Sequence, residues 1–207
     1  MASPDPSVVL VDAADRPLGL MARSLAHAGH GHRHRAFTVL VFDRGGRLAL
    51  ARRSSTKALW PGAFDGTVAS HPRPAEPIAK AARRRLREEL GLDAEPRSLG
   101  RFDYQIQDGP RGAEAELCYA LLAEPPAGAE LRPAADEIDR LIWRTPADLL
   151  ADPRAWPEHC PWLWPALELL SQDPGPLGLA LRPERPRLAR ASAQAFASGR
   201  LSWPPTA

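Results

Sequence analysis

The sequence predicts a mixed α/β domain, and three observations carry that reading. Segments with strand-like alternation lie both before and after one stretch with helical spacing. That stretch places small and apolar residues at Ile78, Ala82, Leu86 and Leu90, and Gly91 follows as a left-handed cap. Short helical segments then close the chain. Strands on both sides of a central helix imply layers of the two element types around one core.

The elements follow in order. Residues 7–11 read as a short apolar strand and 12–16 as a turn. Residues 18–28 read as a short helix. They run into LAHAGHGHRHRAF, which sets His27, His30, His32 and His34 within eight residues. So dense a tract fits a metal, or a flexible loop that uses only some of its histidines. Gly29 and Gly31 let the backbone wrap. Residues 36–42, AFTVLVF, are a strong strand, Asp43-Arg44-Gly45-Gly46 a hairpin turn, and 47–52 the returning strand. Arg52, Arg53 and Lys57 come next, beside Leu59-Trp60-Pro61-Gly62. Basic residues at a strand end beside a loop suit an anion, or make an ordinary solvated rim.

Residues 65–92 organise the rest. A loop carries His71, and Pro72, Pro74 and Pro77 break any preceding strand. Glu76 and Pro77 suit a helix start. The helix ends in Glu88 and Glu89. Glu89 shares a side with Ala82, Arg85 and Leu86 and so points partly at the core, where a carboxylate needs a cation or a donor. Either an ion pair with Arg83, Arg84, Arg85 or Arg87, or a metal or metal-phosphate site, answers that need.

Residues 98–107 form a strand in which Phe102, Tyr104 and Ile106 alternate, 108–113 a turn, and 114–121 the next strand. Alternation puts Glu114, Glu116 and Cys118 on one face and Leu117 and Tyr119 on the other. Two acids on one face repel unless the face is wet or a cation sits between them. A water-facing edge strand and a cation site are both open. Residues 125–133 are a loop and 137–144 a strand. Thr145 and Pro146 start a helix, 152–161 are irregular and carry Trp156, His159 and Cys160, and 162–170 form the last helix. Residues 1–172 make one domain. Residues 173–207 are a Pro-, Ala- and Arg-rich tail, extended or weakly helical, with a short helix over 188–198.

Bulk properties narrow the classes. A chain of 207 residues holds one domain with a sizeable core. A net charge of +2, with its basic residues clustered, argues against nucleic acid as a partner. Two cysteines, Cys118 and Cys160, give no disulfide framework and fit a reducing, cytoplasmic setting. Asp5 and Asp12 stand where a signal peptide needs basic and then apolar residues, and no apolar run spans a bilayer. Oligomeric state leaves no mark in the sequence.

Taken together the motifs resemble the type I isopentenyl-diphosphate isomerases of the Nudix superfamily, over about residues 8–170 and in the family's order. The resemblance implies a Nudix fold, a mixed sheet sandwiched between helices in a single domain. His27 and His34 match the family's early metal histidines, and Ala36-Phe37 follows as it does there. Arg53, Lys57 and Trp60-Pro61-Gly62 match its basic segment and turn. Ser70-His71-Pro72 matches a triplet whose histidine binds metal. Glu89 matches an acid that holds a second metal through the diphosphate. Tyr104 matches an active-site tyrosine. Glu114-Ala115-Glu116 matches two metal-binding acids, the second also handling the proton. Pro161-Trp162 matches a motif whose tryptophan covers the reacting carbon, and Arg23 and Arg85 stand where basic residues approach the diphosphate.

The implied set is chemically coherent. Three imidazoles and two carboxylates favour six-coordinate Mn²⁺, Mg²⁺ or a similar ion over a closed zinc site. Glu89 with Mg²⁺, and the cations Arg23, Arg53, Lys57 and Arg85, suit a small-molecule prenyl diphosphate. Glu116 and Tyr104 can exchange a proton with an alkene, and the Trp162 face can stabilise a carbocation. Two stretches depart: the family has a second acid/base, a cysteine, where this chain has Ala69, and Asp65-Gly66 replaces a common threonine-asparagine. The expectation is therefore isomerisation of isopentenyl to dimethylallyl diphosphate. A family member that protonates a prenyl diphosphate and lets the cation cyclise or take up water is the alternative. Nudix diphosphate hydrolysis ranks third, because Ser70 and Arg85 replace parts of the hydrolase signature. A prenyl-diphosphate binding protein without catalysis comes last.

Overall fold

The computed structural model describes residues 5–202. In chain order the elements are β1 (Ser7–Val11), β2 (Pro17–Ala22), α1 (Arg23–Ala26), β3 (His34–Val41), β4 (Leu48–Arg53), β5 (Phe64–Asp65), β6 (Val68–Ser70), α2 (Ile78–Leu90), β7 (Arg97–Gln107), β8 (Ala113–Ala123), β9 (Ile138–Arg144), α3 (Pro146–Ala151), α4 (Leu163–Gln172), α5 (Pro176–Leu181), α6 (Arg185–Ala195) and β10 (Arg200–Ser202). The larger sheet runs β10-β7-β8-β3-β1-β2, with β6 also paired to β3; the smaller runs β5-β4-β9. β3 and β8 are parallel while their other neighbours are antiparallel, so the larger sheet is mixed.

Helices cover both faces of that sheet. Period-2 alternation along β3 sends Phe37, Val39 and Val41 toward Ala82, Leu86 and Leu90 of α2. It sends Ala36 and Leu40 to the other face, with Trp164, Leu167 and Leu170 of α4. Truncating Leu86 or Leu167 to alanine in either layer costs about 2–5 kcal/mol. α2 ends as expected, with Gly91 at φ 62° donating its N–H to Arg87. At its start Pro77 is extended and caps the helix from outside, which leaves Ile78 as the first helical residue. α3 begins with a reciprocal cap between Thr145 and Asp148. Among the described residues no helix is long and apolar enough to cross a membrane.

The structure differs from the sequence reading in five places. Residues 18–28 are not one helix: β2 pairs with β1, and only the single turn of α1 follows. Their apolar residues mislead because they do not face a core; Leu18 and Leu20 are 68% and 57% exposed on an edge strand. The 43–46 turn forms, with Asp43 and Arg47 hydrogen-bonded, yet β4 leaves for the second sheet. β3 is already flanked by β8, β6 and β1, so no ladder is free for it. The segment before His71 contains β5 and β6 rather than loop alone. β8 is not a wet edge but lies between β7 and β3, with Glu114 and Glu116 buried.

The segment after Gln172 is also folded. Leu181, Leu188, Ala191 and Phe196 bury themselves in the α4 layer, and β10 pairs with β7, Leu201 opposite Tyr104. Its prolines start helices instead of breaking them: Pro176 and Pro186 sit in first turns, where the missing N–H is an orphan in any case. Residues 1–4 and 203–207 of the expected domain and tail lie outside the described residues.

Candidate functional site

Sheet register builds the site. The parallel β3–β8 ladder puts His34, the first residue of β3, opposite Glu116. β6 pairs with β3 and delivers His71 one residue past its end. His27 closes α1, and its carbonyl accepts from Ala113 N–H at 2.9 Å, which ties the histidine loop to the start of β8. That approach needs Gly112: any Cβ there would sit 2.4 Å from the His27 oxygen, at φ 137°.

The five side chains meet. His27 Nε2 lies 3.3 Å from His34 Nε2, which lies 3.0 Å from His71 Nε2. His71 Nε2 is 3.2 Å from Glu116 Oε1, and His27 Nε2 is 3.2 Å from Glu114 Oε2. One ligand atom from each residue lies within 4.8 Å of all the others. His34 donates its Nδ1–H to the His32 carbonyl at 2.7 Å, so in the neutral ring the Nε2 lone pair faces the cluster.

The electrostatics of the cluster suit a cation. Burial, and then the neighbouring His71 and His34, lower His27 to about 3, so the ring is neutral near pH 7 and its contact with Glu114 is no salt bridge. Burial lowers His71 as well. Burial and the charge of Glu116 push Glu114 well above the ordinary carboxylate range, and Glu114 Oε2 has no hydrogen-bond partner among the described residues. Lone pairs from neutral imidazoles and carboxylates aimed at one point repel one another, and a divalent ion removes that repulsion. The donor set therefore fits a metal ion.

Tyr104 and Trp162 stand beside the cluster. The Tyr104 hydroxyl donates to Glu116 Oε2 at 2.7 Å. Burial, with the charges of Glu116 and Glu114, raises the phenol well above its usual range, so it stays protonated. Trp162 precedes α4 and stacks on Tyr104 with ring centroids 5.9 Å apart. Its indole N–H donates to Asp65 Oδ1 at 2.8 Å, and the Arg53 guanidinium lies 5.7 Å from its ring centre. Behind Tyr104, the Phe196 ring packs edge-on at 5.6 Å.

His27, His71, Glu114, Glu116, Tyr104 and Trp162 line a cavity of about 350 Å³, rimmed by Arg23, Arg53, Lys57 and Arg85. Most of these cations are already paired: Arg53 with Asp65, Lys57 with Glu137, and Arg85 with Glu88, Glu89 and Glu137. Burial, with Arg53 beside it, lowers Lys57 to about 8. Glu89 is buried, as expected, and its partner is Arg85 at 2.6 Å; it lies outside the five-residue cluster. Ala69 faces the cavity.

His30 and His32 stay outside the cluster, His30 bonded to Gln107, while His159 bonds the Ala155 carbonyl and packs on Trp164. Cys118 lines the cavity on the Glu116 face, but burial raises its thiol well above the usual value. Two residues escaped the sequence reading. Glu137 joins Lys57 to Arg85 across the fold, and no local pattern marks it. Asp65 lies buried beneath Trp162, and the sequence marks it only as a departure from the family's usual residues.

Comparison with known proteins identifies the family. Residues 32–163 match the NUDIX domain family. The chain is 41% identical over 165 residues to the isopentenyl-diphosphate Delta-isomerase of Haloarcula marismortui, covering 75% of this chain and 86% of that one. It is 38% identical over 146 residues to the protein of the same name from Cutibacterium acnes, covering 67% and 73%. Among solved structures, DR0079 from Deinococcus radiodurans superposes with a TM-score of 0.56 at 24% identity over 70% of this chain and 86% of that one, a likeness of fold.

Proposed function

This chain belongs to the Nudix family and, within it, to the isopentenyl-diphosphate Delta-isomerases, and we propose how its own residues interconvert isopentenyl and dimethylallyl diphosphate. One observation carries the assignment of roles: five ligand-type side chains converge beside Tyr104 and Trp162 in a cavity rimmed by basic residues. His27, His34, His71, Glu114 and Glu116 hold the divalent ion. Their three nitrogens and two oxygens suit Mn²⁺ or Mg²⁺ better than a closed tetrahedral ion. When bound, the ion supplies the positive charge that lets two buried carboxylates coexist and acidifies the groups it touches.

Arg23, Arg53, Lys57 and Arg85 orient the diphosphate, and Glu89, held by Arg85, would be the carboxylate available to a second Mg²⁺ that neutralises the diphosphate charge. Glu116, backed by the Tyr104 hydroxyl, gives a proton to the terminal alkene carbon. The indole of Trp162 faces the tertiary cation, and the packing of Tyr104, Trp60 and Arg53 around that ring shields the cation from water on the Trp162 side. Two free, buried cysteines support a cytoplasmic setting.

A second reading rests on Ala69. With a methyl group where an acid/base is expected, the cation can outlive the step and cyclise or take up water. Incubation with isopentenyl, dimethylallyl, geranyl and farnesyl diphosphates, with Mg²⁺ and Mn²⁺ in deuterated water, separates the outcomes. The proposal expects deuterated dimethylallyl diphosphate from the five-carbon substrate. Cyclic or hydrated product that keeps its diphosphate contradicts it in favour of the second reading. Release of phosphate contradicts both.

A further inference from the structure

We propose that Asp65 is the second proton-handling group of this enzyme, acting through the notch left by Ala69. The inference rests on the isomerase reading above and names how that reading survives the alanine.

Ala69 of β6 lies directly across the ladder from Thr38 of β3 and presents only a methyl group to the main cavity. Behind it is a second chamber of about 10 Å³, lined by Asp65, Thr67 and Glu89 and by Ala69, Arg53 and Lys57, which also line the main cavity. That volume is about the room one water molecule needs, and the lining offers it several polar partners. The two spaces therefore adjoin at the position where a longer side chain would stand between them. The Thr38 hydroxyl, opposite Ala69, is buried without a partner among the described residues.

Asp65 is built for the task. It is buried, with one oxygen accepting from Trp162 Nε1 at 2.8 Å and the other from Arg53 Nη1 at 3.2 Å. Those two partners line the main cavity and are the ring and one of the cations assigned above to the two ends of the substrate. Burial raises its carboxyl above the ordinary value against the pull of Arg53, which makes it a stronger base than an exposed aspartate. The other candidates serve less well. Cys118 is on the Glu116 face, Ser70 is a weak acid, and Glu89 is clamped by Arg85.

The step balances. Glu116 delivers a proton to the terminal carbon, forming a C–H bond and a tertiary cation. A C–H bond on the adjacent methylene then breaks, its electron pair becomes the new double bond, and its proton passes through one water to the Asp65 carboxylate. Exchange with solvent resets both acids. No oxidant or reductant enters.

The test is a double-mutant cycle with isopentenyl diphosphate, Mg²⁺ and Mn²⁺, using wild type, D65N, A69C and A69C/D65N. D65N is expected to lower kcat at least about a hundredfold with little change in KM. In the A69C background, where a thiol reaches the substrate directly, the same substitution is expected to cost less than tenfold. Equal losses in both backgrounds overturn the proposal and make Asp65 a positioning residue for Trp162 and Arg53. Asp65→Thr, which keeps an oxygen for the indole, guards against a folding defect and is expected to show the same dependence on position 69. An inactive wild type beside an active A69C also overturns the role of Asp65 while sparing the isomerase scaffold. Inactivity of both overturns the isomerase reading itself, and the role of Asp65 with it.

Discussion

The two walls of the cavity are built on different terms. On the β3–β8 wall strand register holds His34, Glu114 and Glu116, and His27 from the end of α1 and His71 from just past β6 aim at the same point. On the β5–β6 wall Ala69 offers the cavity only a methyl group, and the carboxylate of Asp65 lines a smaller chamber that shares Ala69 with it. The contrast has a physical source. A metal ligand must touch its ion, so each donor needs a fixed place and direction. A proton can travel along a hydrogen-bonded water, so its acceptor tolerates displacement by one step. The first wall cannot lose a member cheaply, whereas the second can be rebuilt from behind.

Substitutions break or sharpen that contrast, the largest effect first. Glu116 serves both the ion and the proton, so Glu116→Gln is expected to lower kcat by about 10²–10⁴. Steady-state kinetics check this, and a loss below tenfold removes Glu116 from the proton step. Trp162→Leu keeps an apolar body but removes the π face. It is expected to slow turnover about thirtyfold, matching about 2 kcal/mol of desolvated cation–π attraction. An unchanged rate leaves the ring a packing element only.

The next effect is on stability. A divalent ion at about a hundred times its Kd stabilises the fold by about 2.7 kcal/mol, which raises Tm by about 5–10 °C for a domain of this size. Calorimetry should show that rise in wild type and less than half of it in His71→Ala. The smallest effect concerns the anion rim. Lys57, lowered to about 8, is charged below that pH and neutral above it. Substrate KM is expected to rise a few-fold through pH 8 to 9, and Lys57→Arg should flatten that rise. A KM that does not respond to pH places the diphosphate away from Lys57.

How far the sequence foretells the site follows from what holds each part. α2, β7 and β8 are legible because their spacing lies within a few residues of chain, and Gly91 and Thr145 mark ends by local chemistry. The histidines and the Glu114/Glu116 pair are legible through the resemblance of several ordered motifs. Burial of β8 is not, because it depends on β3 and β7 lying on either side. For the same reason the turn at 43–46 misleads: it forms as its residues dictate, and crowding at β3 decides where β4 goes. Composition misleads in the last segment, where a Pro-, Ala- and Arg-rich stretch reads as an extended or weakly helical tail, yet Pro176 and Pro186 occupy helix first turns and Phe196 reaches Tyr104 across the fold.

Anomalous diffraction at the manganese edge, from crystals grown with Mn²⁺, tests the account most directly. A single strong peak at bonding distance from His27, His34, His71, Glu114 and Glu116 is the result it predicts. Mn²⁺ found away from those five side chains, or bound nowhere at saturating concentration, contradicts it.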